Sequence, residues 1–290
     1  MQAHPLVSVI IPVFNDQERL TIALTALENQ SYPGPYEILV VDNGSTELPV
    51  VTGRARLLSE TRPGSYNARN RALKEAGGEV IAFTDSDCIP ATDWLEAGVN
   101  ALRANPAAGL IGGKVILFAE DAFHPTLAEA FEMATGFPQK HYVVNGHYAA
   151  TANVFTRREV LKDVGFFDGT LKSGGDAEWG NRVFEAGYAL AYDDRVIIRH
   201  PARSSHAEIA RKVRRTTGGE RDRRPGVGNM LRFSIRHLFP PRRRLCAIFR
   251  MSEMGVGLRL RLLCYAIYIN WLHSFERVRL QLSGIGSDRS

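Results

Sequence analysis

Three short apolar runs stand out in the first 85 residues of the chain. Val7–Ile11, Glu37–Val41 and Val80–Thr84 each have the length and the β-branched composition of a strand. The second and third runs are almost continuously apolar, which is typical of strands that are covered on both faces. Each of them ends abruptly at an acidic loop, so the pattern predicts strands whose carboxyl ends carry polar side chains.

Helical patterns fill the intervals between these strands. Asn15 and Glu18 have the spacing of a reciprocal N-terminal cap, which predicts that the first helix begins there. Tyr66–Ala76 predicts another helix, which ends before two glycines. The apolar stripe of the first helix consists of Leu20, Ala23, Leu24 and Leu27. This alternation indicates βαβ units, and therefore an α/β fold with a mostly parallel, Rossmann-like sheet that is flanked by helices.

The pattern changes after residue 150. Thr156 and Glu159 have the spacing of a capping box for a helix that runs through residue 164. A second helix is predicted at Ala177–Ala186, and Val196–Arg199 predicts a strand that ends at His200. From residue 202 onward, arginine-rich helical patterns predict a basic helical appendage.

Composition excludes several classes of protein. With 44% hydrophobic and 23% charged residues, the chain is neither largely disordered nor collagen-like nor a polytopic membrane protein. Its three cysteines, Cys88, Cys246 and Cys264, are far apart and form no Cys-x-x-Cys pair. A disulfide framework and a zinc cluster are therefore not expected, and the cytoplasm is the expected location.

Charge divides the chain into two regions. Residues 1–200 contain 17 Lys and Arg against 25 Asp and Glu, whereas residues 201–290 contain 19 against 6. We therefore predict a catalytic domain of residues 1–205 and a basic, mainly helical region of residues 206–290. Such a basic region suits a nucleotide, a nucleic acid or an anionic membrane as its partner.

The basic region also contains an uncharged run, Leu262–Leu272. Its eleven residues are too few to cross a bilayer, which takes about 20 apolar residues. Two interpretations stay open. Either the run lies in a membrane interface and attaches the protein peripherally to the cytoplasmic face, or it packs onto the catalytic domain or a second subunit of a homo-oligomer.

Acidic side chains follow two predicted strands at their carboxyl ends. Asp42 follows the second strand, and Asp85 and Asp87 follow the third. In open α/β sheets ligands bind at this edge, so the three carboxylates are expected to line one crevice. Asp85 and Asp87, one residue apart, can share a hard divalent cation, which prefers oxygen ligands and phosphate. The alternative is a solvated Asx turn.

Several ordered motifs lie within roughly residues 6–200. They are Val7–Asn15, Val40–Thr46, Ala68-Arg69-Asn70, Ile81–Cys88 with Trp94-Leu95, Asn153–Arg158, and Gly165–Asp168. Each motif alone is weak, but their number and order make the match specific. Together they resemble the family 2 glycosyltransferases, which have the GT-A fold.

The resemblance implies a nucleotide-binding role for the first motifs. Pro12, Val13 and Asp42 would hold the base, and Asp85 would lie near the ribose and the metal. For Asp42 the alternative is a carboxylate that caps its own loop. Arg69 is a candidate nucleotide contact, and the alternative for it is an ordinary helix-surface arginine.

The same resemblance implies a metal site. Asp87 would be the main ligand of Mn2+ or Mg2+, with Asp85 and the strand-end His200 completing the protein ligands. Imidazole tolerates Mn2+ better than Mg2+. The alternative for His200 is a strand-end side chain that is hydrogen-bonded to the backbone.

The general base of the family is an Asp in a Gly-Glu-Asp triplet, and this chain has Gly174-Gly175-Asp176. Asp176 is therefore the predicted base, although the Glu is missing, and Glu178 is the fallback. Asp176 as a plain helix cap is the alternative, and both roles are compatible. Cys88 is interpreted as a packed side chain. Trp94 is the tryptophan predicted nearest the crevice.

The resemblance implies an inverting glycosyltransferase. A sugar on a nucleoside diphosphate, with UDP the default and GDP or TDP open, would pass to a hydroxyl of a glycan or a lipid-linked acceptor. A catalytically silent nucleotide-sugar-binding protein and a sugar nucleotidyltransferase are the alternatives. Nucleic acid is not an expected partner, because the basic region lacks a reading motif and interleaved aromatic residues.

Overall fold

The computed structural model describes residues 4–250 and 255–283 of the chain. These residues form two compact units. The first unit draws on residues 1–116, 138–170 and 175–200, and the second on residues 117–137, 171–174 and 201–290. Residues 1–3, 251–254 and 284–290 of the predicted domain ranges lie outside the described residues.

Within the described residues, eight strands form one sheet in the order β3-β2-β1-β4-β7-β6-β8-β5. The strands are β1 Val7–Val13, β2 Tyr36–Asp42, β3 Ala55–Ser59, β4 Val80–Phe83, β5 Ile89–Pro90, β6 Ala108–Phe118, β7 Val154–Arg157 and β8 Ala189–Pro201. The four predicted strands correspond to β1, β2, β4 and the last part of β8, and the predicted α/β class is confirmed.

The sheet has a parallel half and an antiparallel half. Strands β3, β2, β1 and β4 pair in parallel, with Val13 opposite Asp42 and Ile10 opposite Phe83. Strand β7 joins β4 in the antiparallel direction, and β6 then pairs antiparallel with β7. Because β1 is buried along its whole length, it requires the apolar sequence from which it was predicted. The parallel half brings the carboxyl ends of β1, β2 and β4 to one edge.

The part of the chain that the structure describes contains eleven α-helices. They are α1 Gln17–Glu28, α2 Ser65–Glu75, α3 Trp94–Ala104, α4 Leu127–Thr135, α5 Gln139–Gly146, α6 Arg158–Val164, α7 Gly175–Glu185, α8 His206–Arg223, α9 Val227–Leu238, α10 Arg242–Phe249 and α11 Val256–Ser283. All four residues of the predicted apolar stripe of α1 are buried.

Two predicted helix caps are wrong. Helix α1 begins at Gln17, and Asn15 instead accepts a hydrogen bond from the Thr46 amide through Oδ1, at 2.8 Å. Helix α6 begins at Arg158, because Thr156 belongs to β7 and its hydroxyl donates to the Gly109 carbonyl at 2.6 Å. Both side chains have the right spacing for a local cap, but tertiary partners take the hydrogen bonds.

The second unit has its own apolar core, to which α4, α8, α10 and α11 contribute. This core consists of Ala128, Ala130, Phe131, Ala134, Ile209, Val213, Ile248, Leu262, Ala266 and Ile269. The uncharged run at residues 262–272 is therefore part of α11, and one side of it is buried in this core. Among the described residues, no helix is long and apolar enough to cross a membrane.

A buried carboxylate in α4 holds two cations of this unit. Glu132 accepts hydrogen bonds from Lys212 at 2.8 Å and from Arg203 at 3.1 Å, and its side chain is only 7% exposed. Burial alone would raise the pKa of Glu132, but the charges of Lys212 and Arg203 outweigh it and lower that pKa to about 2. The ionised pair therefore stabilises the folded unit at neutral pH.

We predict that Glu132→Gln lowers the free energy of unfolding at pH 7 by about 2 kcal/mol, because the amide leaves two cations without their counter-charge. The contribution of Glu132 is complete above its unfolded pKa of 4.5 and is lost as the pH falls towards about 2. The difference between variant and wild type should therefore vanish near pH 2. Thermal unfolding followed by circular dichroism at several pH values tests this, with the exposed Glu120→Gln as control. An equal loss at pH 7 and pH 2 would contradict the assignment.

Candidate active site

The residues predicted to bind nucleotide lie at the paired ends of β1 and β2. Pro12 and Val13 are buried and stand opposite Val41 and Asp42 in the parallel register. The carboxylate of Asp42 accepts hydrogen bonds from the amides of Gly44 at 3.2 Å and Ser45 at 3.1 Å. Asp42 thus caps its loop, and its base-binding role stays a prediction.

A side-chain amide fixes this loop against the segment that precedes α2. Asn43 donates through Nδ2 to the carbonyls of Glu60 at 2.9 Å and Arg62 at 2.8 Å. Its Oδ1 accepts from the Gly64 amide at 2.6 Å. The end of β2 is therefore tied to the start of α2 through one residue.

Arg69 of α2 lies beneath the Asp-x-Asp loop and is 3% exposed, so it is not a helix-surface arginine. Its guanidinium forms a hydrogen-bonded ion pair with Asp85, whose side chain is 33% exposed. Its Nε has no hydrogen-bond partner among the described residues. The positive charge is thus held at a fixed place under the loop.

Negative charge is concentrated around Asp85. Burial raises the pKa of Asp85, Arg69 opposes that shift, and the charges of Asp87 and Asp176 raise the pKa further. Asp87 and Asp176 are therefore each close enough to Asp85 to act on its charge. Such a group of carboxylates favours the entry of a cation.

Asp87 and His200 lie together at the ends of β4 and β8. Oδ2 of Asp87 is 3.5 Å from Nε2 of His200. One potential ligand atom from each of Asp87, Cys88 and His200 lies within 4.8 Å of the other two. A carboxylate oxygen and an imidazole nitrogen are a donor set that suits Mn2+. Asp85 is engaged by Arg69 and is not in this group, so its role as a ligand stays a prediction.

Cys88 of this group and the nearby Asp16 were not predicted as functional residues. Cys88 is fully buried, and burial raises the pKa of its thiol, which keeps it protonated and a poor ligand for a hard cation. Asp16 accepts a hydrogen bond from the Ser86 hydroxyl at 3.2 Å. Burial raises the pKa of Asp16, and the nearby Asp87 adds to this shift. An acidic residue directly after the first strand motif was the available sequence signal.

Asp176 lies in the first turn of α7, where Oδ1 accepts a hydrogen bond from the Tyr66 hydroxyl at 3.2 Å. Burial raises the pKa of Tyr66, and the charge of Asp176 raises it further, so the phenol stays a proton donor to the carboxylate. The fallback residue, Glu178, is instead held by Arg182 through two hydrogen bonds of 2.5 and 3.1 Å. This geometry favours Asp176 over Glu178.

The departure from the Gly-Glu-Asp triplet has a steric explanation. Gly175 occupies the position of the missing Glu, and a Cβ atom there would lie 2.8 Å from Cε2 of Tyr66. Real Cβ contacts are essentially never so short. The Tyr66 ring therefore fills the space that a longer side chain at position 175 would need, while Asp176 is retained.

Helix α2 also fastens the loop that follows α6. Asn70 donates to the Phe167 carbonyl at 2.7 Å and accepts from the Phe167 amide at 3.1 Å. Asn67 donates to the Gly169 carbonyl at 3.0 Å. Asn67 is buried on α2 together with Tyr66, and Asn70 is half-buried. Polar residues within a helix that lies between buried strands are the sequence signal that could have found them.

Trp94 is not available to stack on a sugar. Its side chain is fully buried, and its indole N–H donates to Oδ1 of Asn153 at 2.9 Å. It also packs edge-on against Phe155, with ring centroids 4.7 Å apart. Trp94 is a core residue.

A mixed α/β sheet with an Asp-x-Asp loop at the edge where its parallel strands end is the arrangement of a GT-A glycosyltransferase. A solved structure with this fold, the mannosyltransferase PcManGT from Pyrobaculum calidifontis in complex with GDP-Man and Mn2+, aligns with a TM-score of 0.62 at 20% identity. The alignment covers 97% of this chain and 88% of that one. The predicted GT-A fold is thereby confirmed.

Residues 8–165 match the sequence model described as glycosyl transferase family 2. The chain belongs to this family, as the motifs predicted. It is 36% identical over 248 residues to the glycosyltransferase AglE of Haloferax volcanii. This alignment covers 81% of this chain and 78% of AglE. It is also 33% identical over 119 residues to an Escherichia coli protein, the UDP-Glc:alpha-D-GlcNAc-diphosphoundecaprenol beta-1,3-glucosyltransferase WfgD, covering 39% of this chain and 47% of WfgD.

We predict that Arg69→Met lowers the free energy of unfolding by about 2–3 kcal/mol, because Asp85 would lose the partner of its partly buried charge. Arg71→Met on the same helix is the matched control. Arg71 forms an i, i+4 ion pair with Glu75 at the surface, and exposed pairs of this kind contribute little to stability. Urea unfolding of both variants measures the difference. Equal losses of unfolding free energy in the two variants would show that the pair of Arg69 and Asp85 does not stabilise the fold more than a surface pair does.

Proposed function

We propose that the protein transfers a sugar, with inversion at the anomeric carbon, from a nucleoside diphosphate to a hydroxyl of a glycan or a lipid-linked acceptor. The observation that carries the proposal is the arrangement of the carboxylates. Asp87, which is next to His200, and Asp176, which accepts a hydrogen bond from the Tyr66 hydroxyl, both act on the charge of Asp85. Asp87 and His200 suit the binding of a diphosphate with its cation, and Asp176 suits the role of general base.

The names of similar proteins support the two substrates. The Pyrobaculum calidifontis structure contains GDP-Man, and WfgD takes its name from UDP-Glc and a diphosphoundecaprenol acceptor. We infer a UDP-sugar as the default donor and a lipid-linked hydroxyl as the preferred acceptor. The predicted cytoplasmic location is part of this proposal.

In the proposed reaction, the acceptor oxygen attacks the anomeric carbon as the bond from that carbon to the diphosphate oxygen breaks. The carboxylate of Asp176 takes the proton of the attacking hydroxyl, and the nucleoside diphosphate leaves. Tyr66 positions Asp176 by its hydrogen bond, and Gly175 leaves the room that the Tyr66 ring needs. Asp42 and the end of β1 hold the base of the nucleotide.

The metal has a defined place in this proposal. Asp87 and His200 would hold Mn2+ or Mg2+, and Asp85 is the further ligand implied by the family. When bound, a divalent cation offsets the negative charge that develops on the diphosphate. Arg69 pairs with Asp85 beside this site and opposes the rise in the pKa of Asp85 that burial causes.

A screen of nucleotide sugars tests the proposal. UDP-, GDP- and TDP-sugars are incubated with the protein and either Mn2+ or Mg2+, and binding and hydrolysis are both measured. Metal-dependent binding with slow hydrolysis of one donor is the expected result. Binding without hydrolysis or transfer to any acceptor would favour a catalytically silent binding protein, and the absence of binding would overturn the proposal.

We predict that Asp176→Asn reduces turnover by about 10²–10⁴-fold, because the amide keeps the shape of the side chain but cannot accept the proton. Nucleotide affinity should stay within about two-fold, since Asp176 is assigned to the acceptor and not to the nucleotide. Donor turnover and nucleotide titration measure the two quantities. Glu178→Gln is the control, and if that variant is inactive while Asp176→Asn turns over normally, Glu178 is the base.

A second prediction concerns the metal alone. Asp87→Ala should weaken Mn2+ binding by more than about 100-fold, since loss of even an outer partner of a metal ligand costs ~10–100-fold. Titration of free Mn2+, followed by its electron paramagnetic resonance signal, measures this without any substrate. The exposed Asp93→Ala is the control. Unchanged Mn2+ affinity in Asp87→Ala would remove the metal site from the proposal.

A further inference from the structure

Helix α11 is apolar on its solvent side. With 100° between successive residues, six exposed residues fall within a sector of about 80°. They are Leu260, Cys264, Tyr268, Trp271, Phe275 and Leu282. The buried Leu262, Ala266 and Ile269 lie on another side of the same helix, in the core of the second unit. A helix that only covers a core has a polar outer face. The apolar outer side of α11 therefore suits contact with a second apolar environment in addition to the core of its own unit.

Helix α9 repeats this arrangement. Val227, Leu231, Ile235 and Leu238 are each about half exposed and again fall within a sector of about 80°. Its buried sector packs against α11 instead, where Ser234 and Ser274 each donate a hydroxyl hydrogen bond to the other's carbonyl, at 3.4 and 3.2 Å.

The two apolar sectors meet. The indole N–H of Trp271 on α11 donates to the carbonyl of Leu238 on α9 at 3.2 Å. Asn270 reinforces this junction by donating to the carbonyls of His237 at 2.7 Å and Phe239 at 2.8 Å. The ten residues of the two sectors therefore form one continuous patch, which we call the α9–α11 apolar surface.

Exposed arginines border this surface. Arg261 lies about 20° beyond Tyr268 on α11, and Arg232 lies about 60° beyond Ile235 on α9. Arg242 and Arg243 are exposed at the start of α10, four residues after Leu238. Other cations of the basic region serve the fold, since Arg203 pairs with Glu132 and Arg277 pairs with Glu220. The cations at the border are thus separate from those that hold the unit together.

We propose that the α9–α11 apolar surface docks on an anionic lipid bilayer, with α9 and α11 lying in the plane of the interface. Trp and Tyr side chains favour the headgroup level, and arginines beside an apolar sector favour anionic headgroups. A second copy of the chain would complement the apolar residues. It would not complement the arginines at the border, because two identical surfaces would bring their positive charges together. The surface deepens the proposed function, since a lipid-linked acceptor lies in the same bilayer.

Co-sedimentation of the full chain with vesicles tests this without any sugar donor. Vesicles of equal parts phosphatidylglycerol and phosphatidylcholine should bind the protein, pure phosphatidylcholine should bind it weakly, and salt should release it. Arg242→Gln with Arg243→Gln should weaken binding by about five-fold for each arginine removed. Binding that is equal on both kinds of vesicle would overturn the proposal.

The apolar part of the surface has a matched control. Leu260→Ser with Phe275→Ser should reduce binding to anionic vesicles by at least about ten-fold. Leu48→Ser with Val50→Ser removes two equally exposed apolar side chains from the first unit and should leave binding unchanged. Equal binding of both double variants would overturn the proposal, whereas circular dichroism checks that both are folded.

Cys264 gives a direct reading of insertion. In a Cys246→Ser chain, an environment-sensitive fluorophore on Cys264 should shift to the blue on anionic vesicles, and spin-labelled lipids should quench it. A fluorophore on Leu48→Cys, in a chain with Cys246→Ser and Cys264→Ser, should do neither.

If the protein does not bind vesicles and is instead a dimer that Leu260→Ser with Phe275→Ser dissociates, the surface belongs to a second copy. Vesicle binding is independent of turnover, so its failure and failure of the proposed reaction are distinguishable.

Discussion

The ion pair between Arg69 and Asp85 is the constraint on which the crevice depends. Two other carboxylates, Asp87 and Asp176, lie near Asp85 at the edge of the sheet, and both raise the cost of ionising Asp85. Arg69 supplies the fixed cation that pairs with Asp85, and burial beneath the loop keeps the charge of Arg69 from being screened. Because Arg69 belongs to a helix and not to a loop, the position of that charge is set by the packing of α2 on the sheet.

Helix α2 therefore does more than cover the sheet. Tyr66 and Arg69, one turn apart, reach Asp176 and Asp85, while Asn67 and Asn70 hold the backbone at residues 167–169. The proposed base, the carboxylate loop and the segment that precedes α7 thus share one rigid support. Small errors of placement at a catalytic centre are costly, and a single helix with several polar anchors limits such errors.

The sequence predicted the parts of the fold that burial dictates. Strand β1 is buried throughout, so its apolar run had one interpretation, and the Asp-x-Asp loop followed from the abrupt end of β4. Local hydrogen bonding was predicted less well, because Asn15 and Thr156 found partners from other elements. The role of Tyr66 was out of reach, since Asp176 is 110 residues away along the chain. The sequence indicates an uncharged run in the basic region, but only the structure shows which side of α11 is exposed.

The loop at residues 167–169 is fastened by two asparagine side chains that grip its backbone. These hydrogen bonds reach only backbone atoms of the loop, so they do not depend on most of its side chains. Phe167 is the exception, because it packs on the rings of Phe83 and Trp179. The surface of the loop can consequently diverge among related chains while its path stays the same. A scaffold of this kind lets a few exposed residues of the loop be exchanged while the contacts of α2 with Asp85 and Asp176 are left as they are.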